Sequence, residues 1–131
     1  MFVIHTIDDD RIPSLEYLPA AAITPKIGVA LKQSSGQLAV CSGTTKPDYI
    51  CMTERAAAVA AGTLIPVIRV NEDTVFETEF SASASEIKLG NKVTIASDGA
   101  RVTATTASGV AEVVYIEDSA SGGMCRVRFS D

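Results

Sequence analysis

The chain holds one histidine, His5, so a histidine-assisted nucleophile would need it to meet a serine or cysteine, with a carboxylate behind it. His5 lies in a terminal apolar run, Phe2 to Ile7, where a polar position on an arm is the better reading. Glu77 and Glu79 stand two apart, the spacing that places two carboxylates on one strand face and could serve acid–base chemistry. The same spacing is routine on the wet face of a half-exposed strand. Asp8-Asp9-Asp10 could hold a divalent cation, yet consecutive residues of an extended chain point in alternating directions. No glycine loop or distal Glu follows them at calcium-loop spacing. No catalytic residue, metal ligand set or cofactor site is expected.

Cys41, Cys51 and Cys125 are odd in number and show no CxxC spacing, unlike a disulfide framework or a zinc site. Free buried thiols are expected, with Cys125 acting as a small hydrophobe on the face of Val127 and Phe129. The glycines spell neither GxGxxG nor a P-loop and read as turn residues.

These residues need a scaffold, and at 131 residues the chain is long enough to bury one core without staples. Hydrophobic residues make up 47% but aromatics only 5% and Trp is absent, so aliphatic side chains must build that core. A net charge of -5 with scattered Lys and Arg disfavours a nucleic-acid partner. The first residues carry no basic leader, and no run approaches the length of a membrane span. A cytosolic protein is expected.

Residues 1–25 read as an extended N-terminal arm: a β-prone run, an acidic stretch, then Pro13, Pro19 and Pro25, which interrupt regular structure. Residues 26–131 read as a single all-β domain, a small β-barrel or sandwich-like meander of about eight short strands. Hairpins are expected around Ser35-Gly36 and around Asp98-Gly99, the latter between two β-branched runs. Pro66 argues for an edge position or a bulge. Thr53 to Gly62 stays open between a short helical turn, favoured by its alanines, and a strand with a loop.

Glu16-Tyr17-Leu18-Pro19, Gly28-Val29-Ala30-Leu31, Pro47-Asp48-Tyr49-Ile50, Ile65-Pro66-Val67-Ile68-Arg69-Val70, Leu89-Gly90-Asn91-Lys92-Val93-Thr94 and Arg126-Val127-Arg128-Phe129 give the chain a pattern that resembles small head-decoration (capsid cement) proteins of tailed bacteriophages and prophages. Gly36-Gln37-Leu38-Ala39 and Gly109-Val110-Ala111-Glu112-Val113 belong to it as well, so the resemblance spans about residues 16 to 129. It implies a non-enzymatic β-rich protein, often a trimer. Such a protein binds the outside of an assembled capsid and stabilises it, with the major capsid protein as partner. It implies a place on the virion surface, and in the bacterial host cytoplasm during assembly.

Two groups are the candidate contacts to capsid or subunit. Phe2, Val3, Ile4, Thr6 and Ile7 have the β-propensity to dock by strand addition. Met124, Arg126 and Arg128 share one strand face whose composition suits an interface. The alternative from another class is a ligand-binding β-barrel module such as a carbohydrate or host-surface binding domain. Its binding face would carry exposed aromatics, and most aromatics here lie in runs that should be buried.

Overall fold

Cys125, Val127 and Phe129 alternate with Met124, Arg126 and Arg128, and the structure turns this period of two into a strand with one buried face. The computed structural model describes residues 1–7 and 14–130. Among them are ten strands and no helix. They form two five-stranded sheets in which every ladder is antiparallel. The first runs β1 (Val3–Ile7), β7 (Thr74–Glu79), β10 (Met124–Phe129), β9 (Ala111–Ile116), β8 (Lys92–Val93). The second runs β2 (Leu15–Pro19), β6 (Leu64–Arg69), β5 (Tyr49–Cys51), β3 (Ala30–Ser34), β4 (Gln37–Val40).

The sheets pack as a sandwich, which corrects the expectation of a barrel with about eight strands. Phe76, Val127 and Phe129 of the first sheet share one core cluster with Ala30, Ile50 and Ile68 of the second. Side chains of successive residues leave a strand on opposite faces, and Leu31, Tyr49, Cys51 and Val67 therefore build a second cluster on the far side of the second sheet. Loop residues Val29 and Val59 cover it. The edges β2 and β4 touch at an isolated bridge, Ala20↔Leu38, and form no ladder, so neither sheet closes on itself.

The terminal segment is not an arm held apart from the domain. β1 lies along β7, with Val3 opposite Glu77 and Ile4 opposite Phe76, and β2 lies along β6. Phe2 is 3% exposed and sits in the core. The reason is energetic: six residues of high β-propensity with four large apolar side chains gain more by pairing and burial than by solvation. Asp8-Asp9-Asp10 lies outside the described residues.

The predicted hairpin at Ser35-Gly36 is present as a two-residue loop with both φ values positive, 52° and 80°, between Ser34 and its partner Gln37. At Asp98-Gly99 the turn is also formed: Ala96 N–H donates to Arg101 C=O at 2.8 Å and Gly99 N–H to Ala96 C=O at 2.9 Å. Its return arm forms no ladder: beyond the bridge Ile95↔Val102 it is held by Thr103 N–H to Thr94 C=O and Thr94 N–H to Thr105 C=O, while Val102 N–H turns to Glu79 C=O. β8, β9 and β10 are consecutive neighbours, as a meander requires, but β7 pairs β10 and not β8. Gly109 admits no side chain, because a Cβ there would lie 2.1 Å from the Lys92 carbonyl oxygen.

Pro66 stands in β6, between β2 and β5, and not at an edge. Its C=O accepts from Met52 N–H at 3.0 Å just past the end of β5, so the N–H that proline lacks is missed where the ladder stops. Thr53 to Gly62 is a loop. Arg55 and Val59 N–H donate to Pro25 and Ile23 C=O, bonds a helix would have needed for itself.

Candidate functional site

The outer face of the first sheet gathers the charged residues singled out in the sequence. Ladder registry places Val3 beside Glu77, Glu77 beside Arg126 and Arg126 beside Tyr115. Two bulges sharpen this row. His5 is the extra residue of β1 between Ile4 and Thr6, and Val114 is the extra residue of β9 between the partners of Arg126 and Val127. Glu77 Oε1 accepts from Arg126 Nε at 3.2 Å and lies 3.3 Å from His5 Nδ1. The Arg126 guanidinium lies 4.4 Å from the centroid of the Tyr115 ring. Arg126 thus spends its charge and its flat face within its own chain.

Met124 lies opposite Glu79, and Arg128 opposite Glu112, whose other neighbour is Lys92. All three β10 candidates are half-buried. Arg128 Nε is buried with no hydrogen-bond partner among the described residues. Glu77 and Glu79 do share a face, as expected, but Glu77 is engaged by Arg126. Among the described residues no three His, Cys, Asp or Glu side chains come together in a metal-binding group. All three cysteines are free and buried. Burial pushes the Cys125 thiol up to about 12 and the Cys41 thiol up to about 11, and it raises Cys51 as well.

Of the N-terminal candidates, Phe2 is a core residue: its ring meets Phe129 edge-on at 5.1 Å and Phe76 at 6.4 Å. Ile4 packs against the same core, Ile7 is half-buried opposite Thr74, and Val3 and Thr6 are exposed. Of these candidates only Val3 and Thr6 reach the surface fully, with His5 exposed between them.

The sequence reading missed a second surface. Seven of the ten exposed large apolar residues, Met1, Val3, Leu15, Tyr17, Ile27, Met52 and Leu64, gather between β1 and the β2 side of the second sheet. Leu15 pairs Ile68, Tyr17 pairs Pro66 and Pro19 pairs Leu64, so these residues share the face that carries Ile68. Ile68 and Met52 then line an apolar recess of about 280 Å³ with Val3, Ile4 and Ile27. Leu64 is 57% exposed and Tyr17 62%. The available signal was the alternation Leu15, Tyr17, Pro19 around Glu16, which places apolar side chains on one face of a strand next to Pro66.

No family model and no curated protein matches the chain. An uncharged apolar recess beside a satisfied charged row suits docking to a protein surface: large apolar patches on soluble chains mark interaction sites, and interface centres are depleted in charge.

Proposed function

We propose that the chain is a non-enzymatic structural protein of a tailed-phage virion, which binds the outside of the assembled capsid and stabilises it as a decoration or cement protein. The observation that carries this reading is the apolar surface running from Val3 and Ile27 through Met52 to Leu64, whose recess is lined almost wholly by aliphatic and thioether side chains. The resemblance of residues 16 to 129 to head-decoration proteins supplies the partner, the major capsid protein, and the virion as the place of action. Met52 and Ile27 are the anchors on this reading: flexible apolar side chains at the mouth of a recess fit an irregular protein surface.

The reading is tested on shells assembled from the major capsid protein of whichever phage or prophage genome is found to carry this chain. Saturating amounts of the chain raise the melting temperature of expanded shells, and Met52→Glu with Ile27→Glu abolishes the rise while leaving the free protein folded. Shells that melt at the same temperature with and without the chain contradict it.

A further inference from the structure

Hydrogen-bond parity along β6 fixes which way the backbone of β2 faces. Met52 N–H donates to Pro66 C=O, so the main-chain groups of Pro66 point toward β5. Alternation sends those of Ile65 and Val67 toward β2, where they stand opposite Leu18 and Glu16. Leu15 and Tyr17, opposite Ile68 and Pro66, must then direct their N–H and C=O outward from the sheet. Two bonds farther along agree with this parity: Ala20 N–H donates inward to Thr63 C=O at 2.8 Å, and Ala21 N–H outward to Leu38 C=O at 2.9 Å. The β3–β4 hairpin therefore closes the edge only at its Ala21 end. Among the described residues no backbone group outside β6 bonds to Leu15 or Tyr17.

An edge of this kind is usually blunted by charge or covered. Here the outward strand carries Leu15, 51% exposed, and Tyr17. Its one charge, Glu16, is neutralised within the chain by Arg69, whose guanidinium nitrogen lies 3.2 Å from Glu16 Oε1.

We propose that this edge pairs with a second copy of the chain, β2 against β2, antiparallel about a two-fold axis, with Leu15 of each copy facing Tyr17 of the other. This register satisfies every outward N–H and C=O of the two residues, because antiparallel neighbours in a bonded pair exchange both bonds. It stacks two Leu–Tyr cross-strand pairs on one face. It also sets Glu16 opposite Glu16 of the second copy, an arrangement that a chain of net charge -5 tolerates here because each carboxylate keeps its own Arg69. The inference goes beyond the capsid reading, and its test needs no capsid.

Sedimentation equilibrium of the full chain, at concentrations up to about 1 mM, shows a monomer–dimer equilibrium. Tyr17→Pro removes an outward donor that no intrachain bond uses, so the dimer is lost while the melting temperature stays near that of the parent. Tyr17→Phe keeps both donor and ring, and keeps the dimer. Arg69→Met unmasks the facing carboxylates and weakens association about fivefold. Adding Glu16→Gln to Arg69→Met restores it. Should Tyr17→Pro not fold, Leu15→Lys combined with Tyr17→Lys, at two exposed positions, abolishes the dimer by like-charge repulsion. A chain that stays monomeric throughout overturns the proposal. So does a trimer, or a dimer indifferent to Tyr17→Pro and to the lysine pair.

Discussion

Phe2 meets Phe129 edge-on, with ring centroids 5.1 Å apart and planes inclined at 69°. This contact ties the beginning of the described chain to its last strand. Phe76 completes the cluster at 5.6 Å from Phe129, so three of the chain's four phenylalanines meet at one point between the sheets. Phe2→Ala leaves a cavity there and costs about 3–5 kcal/mol. Urea unfolding measures it, with a midpoint shift at unchanged slope as the expected signature. A loss below about 1 kcal/mol would return Phe2 to the role of an exposed docking residue, since surface substitutions fall near that range.

Asp98 controls an acid limb. Burial works against its charge, but the Ala100 N–H at 2.9 Å and the Arg101 Nε at 2.9 Å outweigh that effect and hold the carboxyl below its ordinary value. A carboxyl depressed in the folded state contributes stability that is present above the ordinary value of 3.8 and is lost as pH falls through the folded value. Asp98→Asn therefore lowers stability at pH 7 and flattens the decline below pH 3.8. Melting curves taken as a function of pH check this, and parallel acid limbs for the two proteins contradict it.

The cysteines report on the core. With Cys41 and Cys125 raised to about 11 and 12 by burial, the reactive thiolate is scarce and its sulfur is inaccessible. A thiol-reactive disulfide reagent at pH 8 therefore labels the native chain only at the rate of its opening, and labels three thiols at once in denaturant. Rapid labelling of Cys125 in the native state would mean that β10 does not bury it. The sign for stability is the opposite of that for Asp98: these thiols favour the fold below their ordinary value of 9.0, and that contribution is lost as pH rises from there toward the folded values.

Much of the local structure was legible because it is decided locally. The period of two in Met124 to Phe129 places Cys125, Val127 and Phe129 inside, and the Ser35-Gly36 and Asp98-Gly99 turns sit where their glycines put them. What was not legible depends on partners far along the chain. Nothing in Val3–Ile7 says that its partner is β7, and without that pairing the segment reads as an arm and the fold as a smaller barrel. Thr53 to Gly62 has the alanines of a helix, but its N–H groups are claimed by Pro25 and Ile23 from another loop. The candidate surface divides in the same way. Met124, Arg126 and Arg128 were placed correctly on one face, whereas the engagement of Arg126 with Glu77 and Tyr115 needs β7 and β9 alongside. The apolar recess needs Ile27, Met52 and Ile68, which come from three separate parts of the sequence.

The proposed binding to a capsid exterior is measured by co-sedimentation. The purified chain is mixed with expanded shells of a tailed-phage major capsid protein, taken from the genome that carries the chain, then pelleted and quantified against the shell subunit. Binding saturates at a fixed ratio to the capsid subunit and is lost in the Met52→Glu, Ile27→Glu protein. A chain that stays in the supernatant with both unexpanded and expanded shells contradicts it.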